Sequence, residues 1–435
     1  MIEQFKGKKN NGTMKILHTA DWHLGRRLHG QELTPEHDFM LGEIIAILRE
    51  HRINALVHAG DVFDSANPPT NALKQYYSFL TEAIQTGCGT VIITGGNHDS
   101  PAALNAPKYL LETMNIHVVG GATEDVKDEI IPIKDTSGNV LGYCAAVPFL
   151  RDKDLRYSLP GESDDERSKR IVEGIRGHYE RAATAALEKM KTANHEHLPL
   201  IATGHLFAQG GITGDLDTKE QIHVGNLGQI GADAFPEAFS YVALGHLHRP
   251  QRVGKRDMVR YSGSPVPLDF SERDDGKEVV IVEWNKNNNS PTIESVPLTA
   301  HRRLMRCSGT WSEIETELNA YDASKYALPT FAELRILPNS DGVFGGMNAD
   351  EHFRSLAEKL HGAQMLVLRV VQERAHVLPA FSGNASTDAR LEELDREFVF
   401  EELLKREGRK GSQMLGLQQT YRELLSLLNE EGEAA

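Results

Sequence analysis

At 435 residues the chain has room for two or three domains and an ample core, and its 40% apolar and 25% charged residues are ordinary for a globular protein. A formal net charge of −15 excludes holding nucleic acid by overall field, so any DNA contact has to be local, metal-assisted or supplied by a partner. No apolar stretch approaches the ~20 residues that span a bilayer, no signal-peptide pattern is present, and Cys88, Cys144 and Cys307 are too few and scattered for a disulfide framework, so a cytoplasmic chain with buried free thiols is expected.

Residues 1–13 are polar, Lys- and Asn-rich and without periodicity, and read as a disordered extension. Strand then alternates with helix. Lys15–Ala20 is a predicted strand, and Glu36–His51 a helix with Phe39, Ile44, Ile45 and Leu48 on its apolar face. Asn54–Ala59 is the next strand, Thr70–Gln85 a helix with Leu73, Tyr76, Tyr77, Leu80 and Ile84 at helical spacing, and Thr90–Thr94 a third strand. Part of Ala102–Met114 is helical despite Pro107, which should kink it or limit its start. Short β-like runs follow at Ile116–Val119 and Leu141–Val147, then a charged irregular stretch, Asp152–Glu166, and a long amphipathic helix, Arg167–Lys191. Leu198–Thr203, Tyr241–Leu244 and Glu278–Trp284 complete a first domain over 14–285, which the alternation makes α/β with a largely parallel, doubly covered sheet.

Asn285–Pro291 reads as a polar connection to a second, α+β unit over 295–376, in the order strand Leu304–Cys307, helix Trp311–Ala320, strand Thr330–Leu337, helix Ala349–Leu360, strand Gln364–Val371. Residues 377–388 have linker composition, and 389–431 form two amphipathic helices broken around Gly408 and Gly411. Their apolar faces either pack back on the chain or dock another protein.

Five predicted strands end in metal-ligand chemistry: Asp21-Trp22-His23, Gly60-Asp61-Val62-Phe63-Asp64, Gly95-Gly96-Asn97-His98-Asp99, Gly204-His205 and Gly245-His246-Leu247-His248. The C-terminal ends of parallel strands share one edge, so these clusters should converge. The i, i+2 spacing of Asp21/His23 and His246/His248 puts each pair on one face if the chain is extended. Carboxylate, imidazole and amide oxygen without thiolate suit Mn²⁺, Fe²⁺ or Zn²⁺. Asp21, His23, Asp61, Asn97, His205, His246 and His248 are too many for one open ion and right for two sharing a carboxylate, with Asp61 as the bridge. One ion would take Asp21, His23, Asp61 and His248, the other Asp61, Asn97, His205 and His246. His98 is then available to protonate a leaving alkoxide. Asp99 either orients that ring or, the favoured alternative, caps the next helix with Ser100, and Asp64 holds a ligand histidine rather than binding metal.

This set is similar to the calcineurin-like metallophosphoesterase superfamily, whose fold is a β-sandwich flanked by helices. The runs Ile16–Gly25, Ala59–Asp64, Gly95–Ser100, Ile201–Leu206, Tyr241–Arg249 and Tyr261–Phe270 more closely resemble one branch, the SbcD family of bacterial nuclease subunits. The resemblance implies Mn²⁺-dependent exonuclease and endonuclease activity on DNA ends and hairpins. It also implies a small capping domain over the site, C-terminal helices that dock on an SbcC-type ABC ATPase, and a homodimer within a heterotetramer. The chain has no Gly-x-x-x-x-Gly-Lys-[Ser/Thr] loop, so ATP would belong to the partner. Archaeal and eukaryotic relatives carry histidine where Asp64 stands, and that residue's role in them does not transfer.

A small-molecule or protein phosphatase with the same chemistry is the first alternative. Ser65 where such phosphatases have Arg, Asp99 where they have Glu, and the further domain all argue against it. A scaffold with a purely stabilising metal is the second, and the intact ligand set with His98 argues against that.

Overall fold

The computed structural model describes residues 13–155, 163–208, 230–285, 288–337 and 348–372. From the N-terminus, β1 (Met14–Thr19) leads to a small hairpin, β2 (Arg27–Leu28) and β3 (Gln31–Glu32). Helices α1 (Thr34–Glu50) and α2 (Thr70–Gln85) then alternate with β4 (Ala55–Ala59) and β5 (Thr90–Thr94). Two short helices, α3 (Pro101–Asn105) and α4 (Lys108–Glu112), precede β6 (Ile116–Val119). Next come β7 (Ile130–Lys134), β8 (Val140–Ala145), α5 (Asp152–Leu155), the long α6 (Asp164–Thr192), β9 (Leu200–His205), β10 (Tyr241–Gly245), β11 (Gln251–Val253), β12 (Arg256–Tyr261), β13 (Glu278–Asn285) and β14 (Asn288–Pro297).

These strands form two six-stranded sheets, ordered β14-β13-β1-β4-β5-β6 and β11-β12-β10-β9-β8-β7. Strands β1, β4, β5 and β6 run parallel, as do β8, β9, β10 and β12, while β13, β14, β7 and β11 pair antiparallel at the sheets' outer parts. The inner faces meet through Ile16, Val57, Ile92, Cys144, Ile201, Ala243 and Val280. The outer face of the first sheet buries Leu17, Leu56 and Val91 under α1 and α2, and that of the second buries Ala145, Ala202 and Val242 under α6. Every central strand is therefore apolar on both faces, whichever element covers it. That is why alternation alone suggests a single sheet with helices on both sides: a second sheet covers an inner face as well as a helix layer does. The fold is α/β, a sandwich flanked by helices.

Local differences have local causes. Pro107 divides the expected third helix into α3 and α4, because it cannot donate into a continuing helix. Helix α6 starts at Asp164, inside the stretch read as irregular, where Ser163 and Glu166 form a reciprocal capping box. The polar connection after Asn285 is instead strand β14, paired antiparallel along β13. Phe39 lies off the apolar face of α1 and stacks on His301, ring centroids 4.1 Å apart. All three cysteines are free and buried.

A three-stranded parallel sheet follows, β15 (Leu304–Gly309), β16 (Thr330–Ile336) and β17 (Met365–Gln372). It is crossed by α7 (Trp311–Ala320) and α8 (Ala349–His361) around its own core of Cys307, Ile314, Leu334, Phe353 and Val367. The sandwich and this sheet fall in one compact unit, Met1–Glu373. The expected extension, linker and C-terminal helices lie outside the described residues, apart from Thr13. No helix among the described residues is long and apolar enough to cross a membrane.

Candidate metal centre

The C-terminal ends of β1, β4 and β5 in one sheet and of β9 and β10 in the other bring all the predicted ligands together. The first two loops are stitched by backbone bonds, Asp21 N to Gly60 O at 2.9 Å and His23 N to Asp61 O at 3.1 Å. Asp21, His23, Asp61 and His246 have φ of 54°, 46°, 57° and 101°, a region costly for residues with a Cβ and concentrated at functional sites. Left-handed turns rather than the extended alternation expected of i, i+2 pairs therefore aim Asp21/His23 and His246/His248. The turns also need bare backbone beside them: a Cβ on Gly96 would lie 2.0 Å from Asp61 Oδ1, and one on Gly245 2.1 Å from Ala59 O.

Three sets of potential donor atoms each lie within 4.8 Å of one another: Asp21, His23 and His248; Asp21, Asp61 and His205; and His23, Asp61 and His98. Asn97 Oδ1 is 2.8 Å from His205 Nε2 and 3.2 Å from His246 Nδ1, which joins the remaining two predicted ligands to the group. Asp21, His23 and Asp61 thus each belong to two sets, whereas sequence reasoning gave the shared position to Asp61 alone.

The rings are oriented from behind. His205 Nδ1 donates to Ala59 O at 2.9 Å, and His98 Nδ1 to Asp64 O at 2.9 Å, since a carbonyl can only accept. His248 Nδ1 lies 3.1 Å from Glu272 Oε1, and His23 Nδ1 3.3 Å from Asp64 Oδ1. Each contact turns Nε2 towards the centre, the role carboxylates and carbonyls play behind metal-bound histidines. There the Nε2 lone pair of His205 would face two acceptors, Asn97 Oδ1 and, at 3.2 Å, Asp61 Oδ2. Asp21 Oδ2, Asp61 Oδ2 and His23 Nε2 are buried without a hydrogen-bond partner. Inward-facing lone pairs with nothing to share are what a cation satisfies, so the donors present fit divalent metal.

The electrostatics agree. Burial raises the Asp21 carboxyl to about 7. Burial also acts to raise Asp61, yet the imidazoles of His205, His23 and His98 hold it well below the carboxylate range. His205 moves to about 9, because Asp61 and Asp21 outweigh its desolvation.

Asp99 does neither job expected of it. Its carboxylate accepts the backbone N–H of Val62, Phe63 and Gly96 at 3.1, 3.0 and 2.9 Å, which clamps the Asp61 turn to the Asn97 turn. The helix cap is Ser100 alone, accepting from Ala103 N, and the His98 ring faces Asp64. Asp64 sits as expected beside His23, with its other contact Arg26 Nη1 at 3.0 Å, and these two hold it at about 2 against the upward pull of burial.

Comparison with known proteins decides the family. The calcineurin-like phosphoesterase model matches residues 14–282. The SbcD component of the SbcCD nuclease of Escherichia coli K12 is 32% identical over 422 residues, covering 97% of this chain and 100% of that protein. The chain belongs to the SbcD branch of the calcineurin-like phosphoesterases. The SbcD protein of Bacillus subtilis is 34% identical over 294 residues, 67% of this chain and 72% of its own, and that of Rhodobacter capsulatus 37% over 266 residues, 60% and 64%. The chain is accordingly a nuclease subunit and a metal-dependent phosphoester hydrolase. Sequence reasoning about this SbcD-type site missed Glu272, Lys277 and Arg26. Lys277 Nζ donates to Glu272 Oε2 at 2.6 Å, neutralising the carboxylate behind His248. The available signal was slight: Glu272 stands two residues beyond the family-like run ending at Phe270.

Proposed function

We propose that the chain hydrolyses DNA phosphodiester bonds with two divalent ions, as an exonuclease on duplex ends and an endonuclease on hairpins and single strands, in repair, recombination and replication. The observation that carries this reading is the convergence of seven oxygen and nitrogen donors, among which Asp21 Oδ2 and Asp61 Oδ2 are buried without a hydrogen-bond partner. Asp21, His23, Asp61 and His248 hold one ion, and Asp61, Asn97, His205 and His246 the other. Donors of this kind suit Mn²⁺, Fe²⁺ or Zn²⁺, and the family likeness favours Mn²⁺ among them. When bound, such a pair polarises the phosphoryl oxygen and lowers the pKa of water.

The protein's own groups do the rest. Asp64 O fixes the tautomer of His98 with a proton on Nδ1, which leaves Nε2 as the ring atom from which the imidazolium passes a proton to the departing alkoxide. Asp99 keeps the two ligand turns in register, Asp64 holds His23, and Glu272 holds His248.

The α+β unit over 295–376 acts as the capping domain, residues 389–431 dock on an SbcC-type ABC ATPase, and the complex works in the cytoplasm. A homodimer within a heterotetramer has a candidate surface at α4, where Tyr109 and Leu110 are 83% and 68% exposed with Met114 beside them.

The test is co-purification with the ATPase and an ATP-dependent assay on a DNA hairpin in Mn²⁺. An intact hairpin alongside hydrolysis of a small phosphodiester would sink the DNA reading. His98→Ala is expected to lower cleavage by about 10²–10⁴-fold at unchanged metal occupancy. Loss of the metal would assign His98 to the ligands instead.

A further inference from the structure

The edge that carries the ligands also carries an aromatic residue that hydrolysis does not use. Strand β8 runs parallel to β9, so the chain leaving it reaches the same edge as His205. Of the residues that follow, Val147 and Leu150 enter the core under α6, whereas Phe149 joins none of the apolar clusters. It is nevertheless held firmly: its backbone N–H donates to Gly95 O at 2.8 Å, tying it to the turn that bears Asn97 and His98. The half-buried ring stands edge-to-face to His205, centroids 6.1 Å apart. The Arg151 guanidinium lies 5.9 Å from the ring centroid, and its Nη2 donates to Asp99 O at 3.2 Å.

We propose that Phe149 is the platform on which a nucleobase next to the scissile phosphate stacks, with the Arg151 guanidinium over the ring supplying positive charge. This rests on the DNA reading above and deepens it. Every base has a π face, so an aromatic platform binds single-stranded nucleic acid without choosing a sequence, as a nuclease of general action requires. A guanidinium over the ring adds cation–π attraction and favours the neighbouring phosphate. A small phosphomonoester without a base would have no use for the aromatic platform, although its charge could still pair with a guanidinium.

The experiment uses the full-length chain with Mn²⁺ and a single-stranded oligonucleotide carrying 2-aminopurine, whose fluorescence is quenched by stacking. Phe149→Leu keeps an apolar side chain of similar bulk and removes the π face. It is expected to raise KM by roughly 5- to 150-fold with kcat within about twofold, and to lose the quenching. Phe149→Tyr is expected to restore both. Arg151→Gln, which leaves the ring in place, should lower the slope of log KM against log salt by about 0.7. If the wild type cuts and Phe149→Leu matches it in KM and quenching, or loses kcat at unchanged KM, the platform is wrong while the nuclease reading stands. With the co-purified ATPase and ATP also present, a wild type that leaves the oligonucleotide whole overturns both.

Discussion

Replacing Glu272 by glutamine probes how the centre is held without touching a proposed ligand. One carboxylate oxygen lies 3.1 Å from His248 Nδ1; the other accepts from Lys277 Nζ at 2.6 Å and Leu268 N at 3.3 Å. Burial alone would raise this carboxyl, but Lys277 and His248 outweigh it and hold the group at about 2, from an ordinary 4.5. At 1.36 kcal/mol per unit, that difference is worth about 3 kcal/mol of folding stability. Because the folded-state value lies below the unfolded one, the contribution is complete above about pH 4.5 and is lost as the pH falls towards 2. Glutamine keeps the shape and one acceptor but no charge, and it strands the ammonium of Lys277. E272Q should therefore be less stable than wild type by about 3 kcal/mol at pH 7 in urea unfolding, with the gap narrowing at pH 4 and again at pH 3. A less restrained His248 should also weaken Mn²⁺ binding about 10- to 100-fold by calorimetry. Equal stability at pH 7, or a deficit that does not change with pH, would refute the electrostatic account; an unchanged Mn²⁺ affinity would refute the positioning one.

Two further outcomes follow from the geometry. Gly96→Ala places a methyl 2.0 Å from Asp61 Oδ1 and 2.3 Å from Asp61 N, so it should cost about 1–3 kcal/mol in denaturant unfolding and abolish metal binding, and a variant that still binds metal like wild type would show the turn to be compliant. Stripping metal with a chelator should stop cleavage and lower the melting temperature, and Mn²⁺ at a hundredfold excess over its Kd should return about 2.7 kcal/mol; a melting temperature indifferent to Mn²⁺ would contradict binding to the folded state.

Much of the site was legible because its chemistry is local. Asp21, Asp61, Asn97 and His246 stand just beyond apolar strands and His205 ends one, so finding the strands also located the donors that converge. What the sequence hid is non-local. Glu272 stands 24 residues from His248, and only the fold shows that they meet. The three backbone bonds of Asp99 arise because the Asp61 and Asn97 turns lie side by side, whereas a helix cap was the local guess. Phe39 fits a helical stripe by spacing, yet its neighbour is His301, far along the chain and visible only in three dimensions. The single-sheet expectation failed because burial on both faces leaves the same apolar signature under a helix or a sheet.

One consequence of the two-sheet arrangement is mechanical. Asp21, His23, Asp61 and Asn97 are carried by one sheet, while His205, His246 and His248 are carried by the other, and Gly245 lets Ala59 and Ala20 come within contact across the gap. The centre therefore acts as a gauge of sliding between the sheets: a shear of about an ångström would spread donors now grouped within 4.8 Å and disarm hydrolysis without unfolding anything.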